Sequence, residues 1–207
     1  MDWDLYFNKI NLKRFCHFLA ESLFFIHIKK CKDIFDKRGD QLNFKTEPTS
    51  PVQKVLVYTD GASRGNGKEH SVSAYAYFLK WGGYEKTFGK AFENRTNNQM
   101  EMLAVIEALK AMKREDIPIE LYADSALVVN CLTQHWYRKW ERDGWTKKGG
   151  LKNADLWKEL IYQYRRFKNI SIIKVKGHST NEYNNLVDKE CNEKMDEMEA
   201  VLLEKNM

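Results

Sequence analysis

The stretch KVLVYTDG at residues 54–61 decides the fold of this chain. Its first six residues are mostly β-branched, apolar or aromatic, which is typical of a short buried strand. The next residue, Asp60, places an acid where the apolar run stops. Ligands of open α/β sheets bind beyond the carboxyl ends of strands. The stretch therefore predicts a central strand and a functional side chain at its end.

The residues that follow predict a mixed sheet. Residues 71–81 alternate aromatic and small side chains as a strand does, Gly82 and Gly83 make a turn, and residues 84–92 return as the second arm of a hairpin. Three strands in succession, followed by strands that are reached through helices, indicate an α/β fold whose sheet starts antiparallel. Further strands are predicted at 119–123 and 170–176, and helices at 98–112, 125–132, 155–167 and 184–203.

The chain changes texture near residue 50. Residues 1–36 are dense in Phe, Leu and Ile at helical spacing. We expect a helical apolar extension there, which either packs on the rest of the protein or binds a partner or nucleic acid. Residues 37–53 are predicted to form a polar linker, because two prolines three residues apart disfavour a helix. The main domain is predicted over residues 54–207.

The composition excludes several classes of protein. A hydrophobic fraction of 43% and a charged fraction of 30% indicate a globular rather than a disordered chain. Four widely spaced cysteines exclude a disulfide framework or a zinc site and indicate a reducing, cytoplasmic compartment. Neither a membrane span of ~20 apolar residues nor a secretory signal is expected. The net charge of +5 is compatible with a polyanionic partner.

Four acids lie where carboxylates are unfavourable. Asp60 and Asp124 each follow an apolar strand, so parallel neighbouring strands would bring both acids to one edge. Glu101 and Asp188 each lie on the apolar stripe of a predicted helix. Any one of them could be a turn residue, a helix cap or the partner of a basic side chain. Together they predict a divalent metal site, since hard oxygen ligands without His or Cys favour Mg²⁺ or Mn²⁺.

The motifs around these acids resemble ribonuclease H of type 1 over residues 54–197. The resemblance implies a five-stranded mixed sheet, with its first three strands antiparallel, flanked by helices. It also implies hydrolysis of the RNA strand of RNA–DNA hybrids, leaving 5′-phosphate and 3′-hydroxyl ends. The matching stretches are YTDGA at 58–62, GN at 65–66, TNNQME at 96–101, ADS at 123–125, Trp136, Trp140 and GW at 144–145, KNADLW at 152–157, VKGH at 175–178, and Asn184 with Asp188.

The resemblance implies a catalytic and metal-binding role for Asp60, Glu101, Asp124 and Asp188. Two Mg²⁺ ions, for which Mn²⁺ can substitute, would lie roughly 3.5–4 Å apart and act on one phosphodiester. Asp60 would contact both ions, Asp188 the one that activates water, and the other two acids the ion facing the leaving oxygen. His178 would be a mobile catalytic residue that assists turnover. Without the motif, this histidine would be an idle surface residue.

A basic segment at residues 134–152 carries six Lys or Arg against two acids, interleaved with aromatic residues. In one interpretation, the cations there bind phosphates and the aromatic rings contact sugars or bases. In the other, the segment is a charged helix whose tryptophans belong to the core. The resemblance favours a hybrid-binding protrusion. It also implies that asparagines read 2′-hydroxyls and that one pocket binds a DNA phosphate. The predicted substrate contacts are Asn66, Thr96, Asn97, Asn98, Ser125, Trp136, Arg138, Lys139, Lys147, Lys148 and Asn153.

The chain also departs from the family pattern. Ala126 and Leu127 replace a polar and an aromatic residue, and Asn94 stands where an Arg often supports the phosphate pocket. The first 50 residues do not match the small hybrid-binding module of larger members, so they predict an accessory element, with a protein partner as one option. A non-catalytic binding module would lack one of the four acids, and the fold also carries resolvases and integrases. The leading interpretation is a monomeric metal-dependent endoribonuclease.

Overall fold

The computed structural model describes residues 53–66, 68, 70–176 and 181–205. These residues belong to the second of two units into which the chain divides, Thr49–Met207. The predicted extension, all but the last residue of the predicted linker, and His178 lie outside the described residues. The elements are β1 (Val55–Arg64), β2 (Val72–Trp81), β3 (Tyr84–Glu93), α1 (Asn97–Ala111), β4 (Ile119–Ala123), α2 (Ala126–Thr133), α3 (Tyr137–Arg142), α4 (Ala154–Arg165), β5 (Ile170–Lys174) and α5 (Glu182–Lys205).

The strands form one sheet in the order β3-β2-β1-β4-β5. β1, β2 and β3 pair antiparallel, whereas β4 pairs parallel with β1 and β5 pairs parallel with β4. The five-stranded mixed sheet with an antiparallel start is thus confirmed. Since each parallel strand must be reached by a crossover, helices separate β3 from β4 and β4 from β5.

β1 is longer than the sequence predicts, because it continues through Asp60 to Arg64 instead of ending at Thr59. Its antiparallel pairing with β2 extends to Arg64 opposite Val72, whereas its parallel pairing with β4 stops at Thr59 opposite Ala123. The additional residues of β1 are held in the strand by backbone hydrogen bonds to β2. The apolar run of β1 alone does not reveal that partner strand. Asp60 therefore lies within β1, where pairing with β2 fixes the backbone, and directly beyond the last parallel pair of β1 with β4.

Helices cover both faces of the sheet, which accounts for the nearly continuous apolar runs in its central strands. On one face, Val57 and Leu121 pack with Ile106 of α1 and Leu160 of α4 in the larger core cluster. The smaller cluster on the other face, under α5, comprises Tyr58, Val72, Ala74, Ala76, Phe78, Val187, Cys191 and Met195. Among the described residues, no helix is both long and apolar enough to cross a membrane.

Candidate active site

Three of the predicted acids meet at one edge of the sheet. Asp60 and Asp124 each come one residue after the last parallel pair of β1 and β4, so the register places them side by side. Glu101 reaches the same place from α1. One carboxylate oxygen from each residue lies within 4.8 Å of the other two. The parallel pairing of β1 and β4 thus brings the two strand-end acids to one edge of the sheet, as the sequence predicts.

Glu101 is positioned by the close approach of α1 to β1. A Cβ added at Gly61 would lie 2.2 Å from the backbone nitrogen of Glu101 and 2.4 Å from the carbonyl carbon of Met100. Only a glycine beside Asp60 therefore lets the helix backbone rest on the strand. Asn97 then donates from Nδ2 to Oε1 of Glu101 at 3.3 Å. The helix, the strand and one amide together set the place of this carboxylate.

Asp188 lies on α5, beside the three clustered acids. Its negative charge is one of the causes that raise the pKa of Asp60, so the two carboxylates interact electrostatically. Asn192 donates to a carboxylate oxygen of Asp188 at 3.4 Å and to its backbone oxygen at 3.0 Å. Cys191, buried behind the cluster, donates from Sγ to the backbone oxygen of Asp60 at 3.5 Å. α5 is thereby attached to β1 at the acids.

Burial and mutual repulsion make simultaneous ionisation of the acids energetically unfavourable. Burial raises the pKa of Asp60 from 3.8 to about 6, with further increases from the charges of Asp124 and Asp188. Burial also raises the pKa of Glu101 from 4.5 to about 9, with the charges of Asp124 and Asp60 added to it. A divalent cation would compensate this charge. Carboxylate oxygens alone form a donor set that fits Mg²⁺ or Mn²⁺.

These pKa shifts predict how the metal-free protein responds to pH. The pKa of Glu101 is higher in the folded state than in the unfolded state, so its contribution to stability is present below about pH 4.5 and is lost as pH rises towards about 9. We expect Glu101→Gln to gain stability relative to wild type by up to about 1.4 kcal/mol per pH unit in that window. Urea unfolding in EDTA between pH 5 and pH 9 measures this, and a stability difference independent of pH would contradict it.

A groove of about 720 Å³ is lined by Thr96 and Asn98 at the start of α1, the helix that carries Glu101, and it is suited to anions. α1 begins after the N-cap Thr96, and α4 begins after Asn153, so the positive ends of two helix dipoles face this region. Lysines of the 147–152 loop add positive charge. Seven predicted substrate contacts line the groove: Asn66, Thr96, Asn98, Trp136, Lys147, Lys148 and Asn153.

The other four predicted contacts lie elsewhere. Ser125 is buried and caps α2, where its hydroxyl accepts from the Val128 nitrogen at 3.4 Å. Asn97 holds Glu101, as described above. Arg138 and Lys139 are exposed on α3, a short helix that the sequence pattern did not indicate.

The basic segment separates into a half-buried part and an exposed part. Trp140 packs on Trp157 with ring centroids 5.3 Å apart, and Trp145 also contacts the larger core cluster. Trp136, in contrast, is exposed and lines the groove. The half-buried rings of Trp140 and Trp145 anchor the segment, whereas its lysines at 147, 148 and 152 line the groove.

Two hydrogen-bonded contacts around the groove were not predicted from the sequence. Asn66 accepts at Oδ1 from the backbone nitrogen of Asn97 at 3.0 Å, which ties the loop after β1 to the start of α1. Gln99 completes a capping box with Thr96 and also donates from Nε2 to Oδ1 of Asn153 at 3.3 Å. The pattern T-x-x-Q at residues 96–99 could have indicated the capping box. The contact with Asn153, 54 residues away, had no local signal.

Comparison with known proteins identifies relatives of this arrangement. The RNase H family model matches residues 52–196. A ribonuclease H of Clostridium botulinum is 47% identical over 148 residues, which are 70% of this chain and 98% of that protein.

Solved structures share the fold. LC9-RNase H1, a type 1 RNase H with the type 2 active-site motif, has a TM-score of 0.61 at 23% identity, over 71% of this chain and 74% of that one. LC11-RNase H1, solved in complex with an RNA/DNA hybrid, has a TM-score of 0.54 at 22% identity, over 70% of this chain and 99% of that one.

Proposed function

The chain belongs to the ribonuclease H family of endoribonucleases, and on that premise we propose that it hydrolyses the RNA strand of RNA–DNA hybrids. The observation that carries the proposal is the convergence of Asp60, Glu101 and Asp124 beside a groove lined with lysines. Buried acids favour a divalent metal, and the groove favours the polyanion whose phosphodiester would be cut. Cleavage by two metal ions would leave 5′-phosphate and 3′-hydroxyl ends.

The acids would hold the metal in this proposal. Asp60, Glu101 and Asp124 would supply the ligand oxygens, and Asp188 would add a fourth carboxylate from α5. Bound Mg²⁺ or Mn²⁺ supplies Lewis-acid stabilisation of the phosphoryl oxygens and lowers the pKa of bound water. Asn97 orients Glu101, and the backbone pairing of β1 with β2 holds Asp60 in place. His178 would assist turnover.

The groove would hold the hybrid. Lys147 and Lys148 would contact phosphates, and the N-termini of α1 and α4 would add the positive ends of their helix dipoles. Asn66 and Asn98, which line the groove, would recognise 2′-hydroxyls, the groups by which RNA differs from DNA. Trp136 offers an exposed ring to a sugar or base.

The remaining parts of the chain complete the proposal. We take residues 54–207 as the catalytic domain, joined through the linker 37–53 to an accessory extension at residues 1–36. The family match over residues 52–196 supports this boundary. The enzyme would act as a monomer in the cytoplasm.

A cleavage assay tests the function directly. Purified protein is incubated with an end-labelled RNA–DNA hybrid in Mg²⁺, Mn²⁺ or EDTA, with duplex RNA and duplex DNA as control substrates. We expect cuts only in the RNA strand of the hybrid, only with metal, and with 5′-phosphate ends. Binding of the hybrid without cleavage by folded protein in either metal would contradict the proposal and indicate a binding module.

A salt titration tests the groove. Removing both Lys147 and Lys148 as alanines should lower the slope of log affinity against log salt by about 1.4–1.8, because each phosphate contact contributes about 0.7–0.9 to that slope. The control replaces Lys113 and Lys168, which are exposed and do not line the groove. Fluorescence anisotropy in EDTA measures the affinities. An equal slope in both double variants would show that Lys147 and Lys148 do not contact the phosphates of the hybrid.

A further inference from the structure

We propose that Gln99 is a positioning residue, which turns the side-chain amide of Asn153 so that its NH₂ group donates into the groove. The inference rests on the proposed function, because the ligand that such donors select is a phosphate oxygen of the hybrid. It goes beyond that function by explaining how one side of the groove becomes a set of donors. Gln99 itself is not among the described residues that line the groove.

The orientation of Gln99 follows from a group that can only donate. The backbone N–H of Thr96 donates to the side chain of Gln99 at 2.9 Å, so the atom there must be the oxygen, Oε1. The nitrogen, Nε2, is then the other end of the amide. That nitrogen points at the side chain of Asn153, 3.3 Å away, and a donor there requires the oxygen of Asn153.

The same reasoning carries through to the groove. With Oδ1 of Asn153 engaged by Gln99, its Nδ2 group is the end left to donate. Among the described residues, the Asn153 side chain makes no capping bond to α4, and its backbone is left-handed with a φ of 58°, so it is not committed to its own helix. The Thr96 hydroxyl oxygen accepts from the backbone nitrogen of Gln99 at 3.4 Å, which leaves the hydroxyl hydrogen for a ligand.

The resulting surface selects an acceptor. Thr96 and Asn153 both line the groove, and Lys147, Lys148 and Lys152 line it with them. A phosphate accepts hydrogen bonds at every terminal oxygen and carries the negative charge that the lysines and helix N-termini favour. Without Gln99, the Asn153 amide could turn its oxygen towards the groove instead. That oxygen and the phosphate oxygen would then be two acceptors facing each other.

Gln99→Glu separates this role from a structural one. Glutamate completes a capping box as well as glutamine does, so α1 keeps its cap and the thermal midpoint should stay within about 2 °C. A carboxylate has no N–H, so Asn153 must donate to it and turn its oxygen to the groove. We expect KM for the hybrid to rise about tenfold or more, as for the loss of a charge-assisted hydrogen bond, with kcat within about twofold.

Two controls make the test specific. Asn169→Asp adds the same negative charge on the exposed turn before β5, at the other end of the sheet, and should leave KM unchanged. In an Asn153→Ala background, Gln99→Glu should have a much smaller effect, because the residue it acts through is gone. Additive effects on KM, or an unchanged KM in Gln99→Glu, would overturn the inference.

The outcome for Gln99 is separable from the outcome for the function. Hybrid affinity is measured in EDTA as well as by KM, so the comparison of wild type with Gln99→Glu does not need cleavage. A wild-type protein that binds without cutting would contradict the proposed function alone. A wild-type protein that cuts, and a Gln99→Glu variant with equal affinity, would contradict the positioning role alone.

Discussion

Asp60→Asn should abolish metal-dependent cleavage of the hybrid while leaving the protein folded. Asp60 lies in the middle of the acidic cluster, where its pKa is raised by burial and by two neighbouring carboxylates. An amide retains the shape but removes one negative charge and weakens metal binding. Metal ions contribute several kcal/mol of transition-state stabilisation, so the loss should reach at least about 10²–10³-fold in kcat/KM.

The same substitution should stabilise the metal-free protein above about pH 6, since it removes a charge that burial disfavours. Loss of activity together with a gain in stability distinguishes a metal ligand from a residue that merely supports the fold. Single-turnover cleavage and urea unfolding in EDTA give the two measurements. Asp116→Asn, in an exposed ion pair with Arg114, is the matched control and should change neither by much. Full activity in Asp60→Asn would exclude the proposed metal site.

Gly61→Ala should be among the most damaging single changes in the chain. Its methyl group would lie 2.2–2.4 Å from backbone atoms of Met100 and Glu101, which cannot rotate away as a side chain can. α1 would have to move off β1, against the core that both elements share. We expect a loss of at least about 3 kcal/mol in the free energy of unfolding, at the severe end of overpacking.

Any Gly61→Ala protein that folds should still be a poor enzyme. A shift of α1 moves Glu101 away from Asp60 and Asp124, and a misplacement of about 1 Å can cost roughly 10²-fold in rate. Gly83→Ala is the control, since among the described atoms nothing lies within 4 Å of its added carbon, and it should stay within about 0.5 kcal/mol of wild type. Wild-type stability and activity in Gly61→Ala would show that α1 does not pack on β1 as described.

Local patterns were enough to predict most elements of the main domain. β4 has the predicted bounds, 119–123, and α1 differs from its prediction by one residue at each end. Apolar periodicity is a property of each segment, so a strand or helix that packs on one core reveals its type without its partners. The family motifs then implied a five-stranded mixed sheet with an antiparallel start, which the structure confirms, whereas the strand order comes from the structure alone.

The site was predicted in its chemistry more fully than in its geometry. The sequence identified the acids because each interrupts an apolar pattern, and such interruptions are visible locally. It did not show that Trp140 packs on Trp157 while Trp136 lines the groove. That distinction depends on which neighbours cover a side chain, and these neighbours are distant along the chain.

The sequence by itself determined the fold class, the four acids and the basic segment, because composition, periodicity and motif spacing are carried within short stretches. Only the tertiary structure decided that β1 continues past Asp60, that Gly61 admits the backbone of α1, and that Gln99 reaches Asn153. Each of these is a contact between segments brought together by folding. Its energy depends on distances of a few ångströms, which residue spacing alone does not specify.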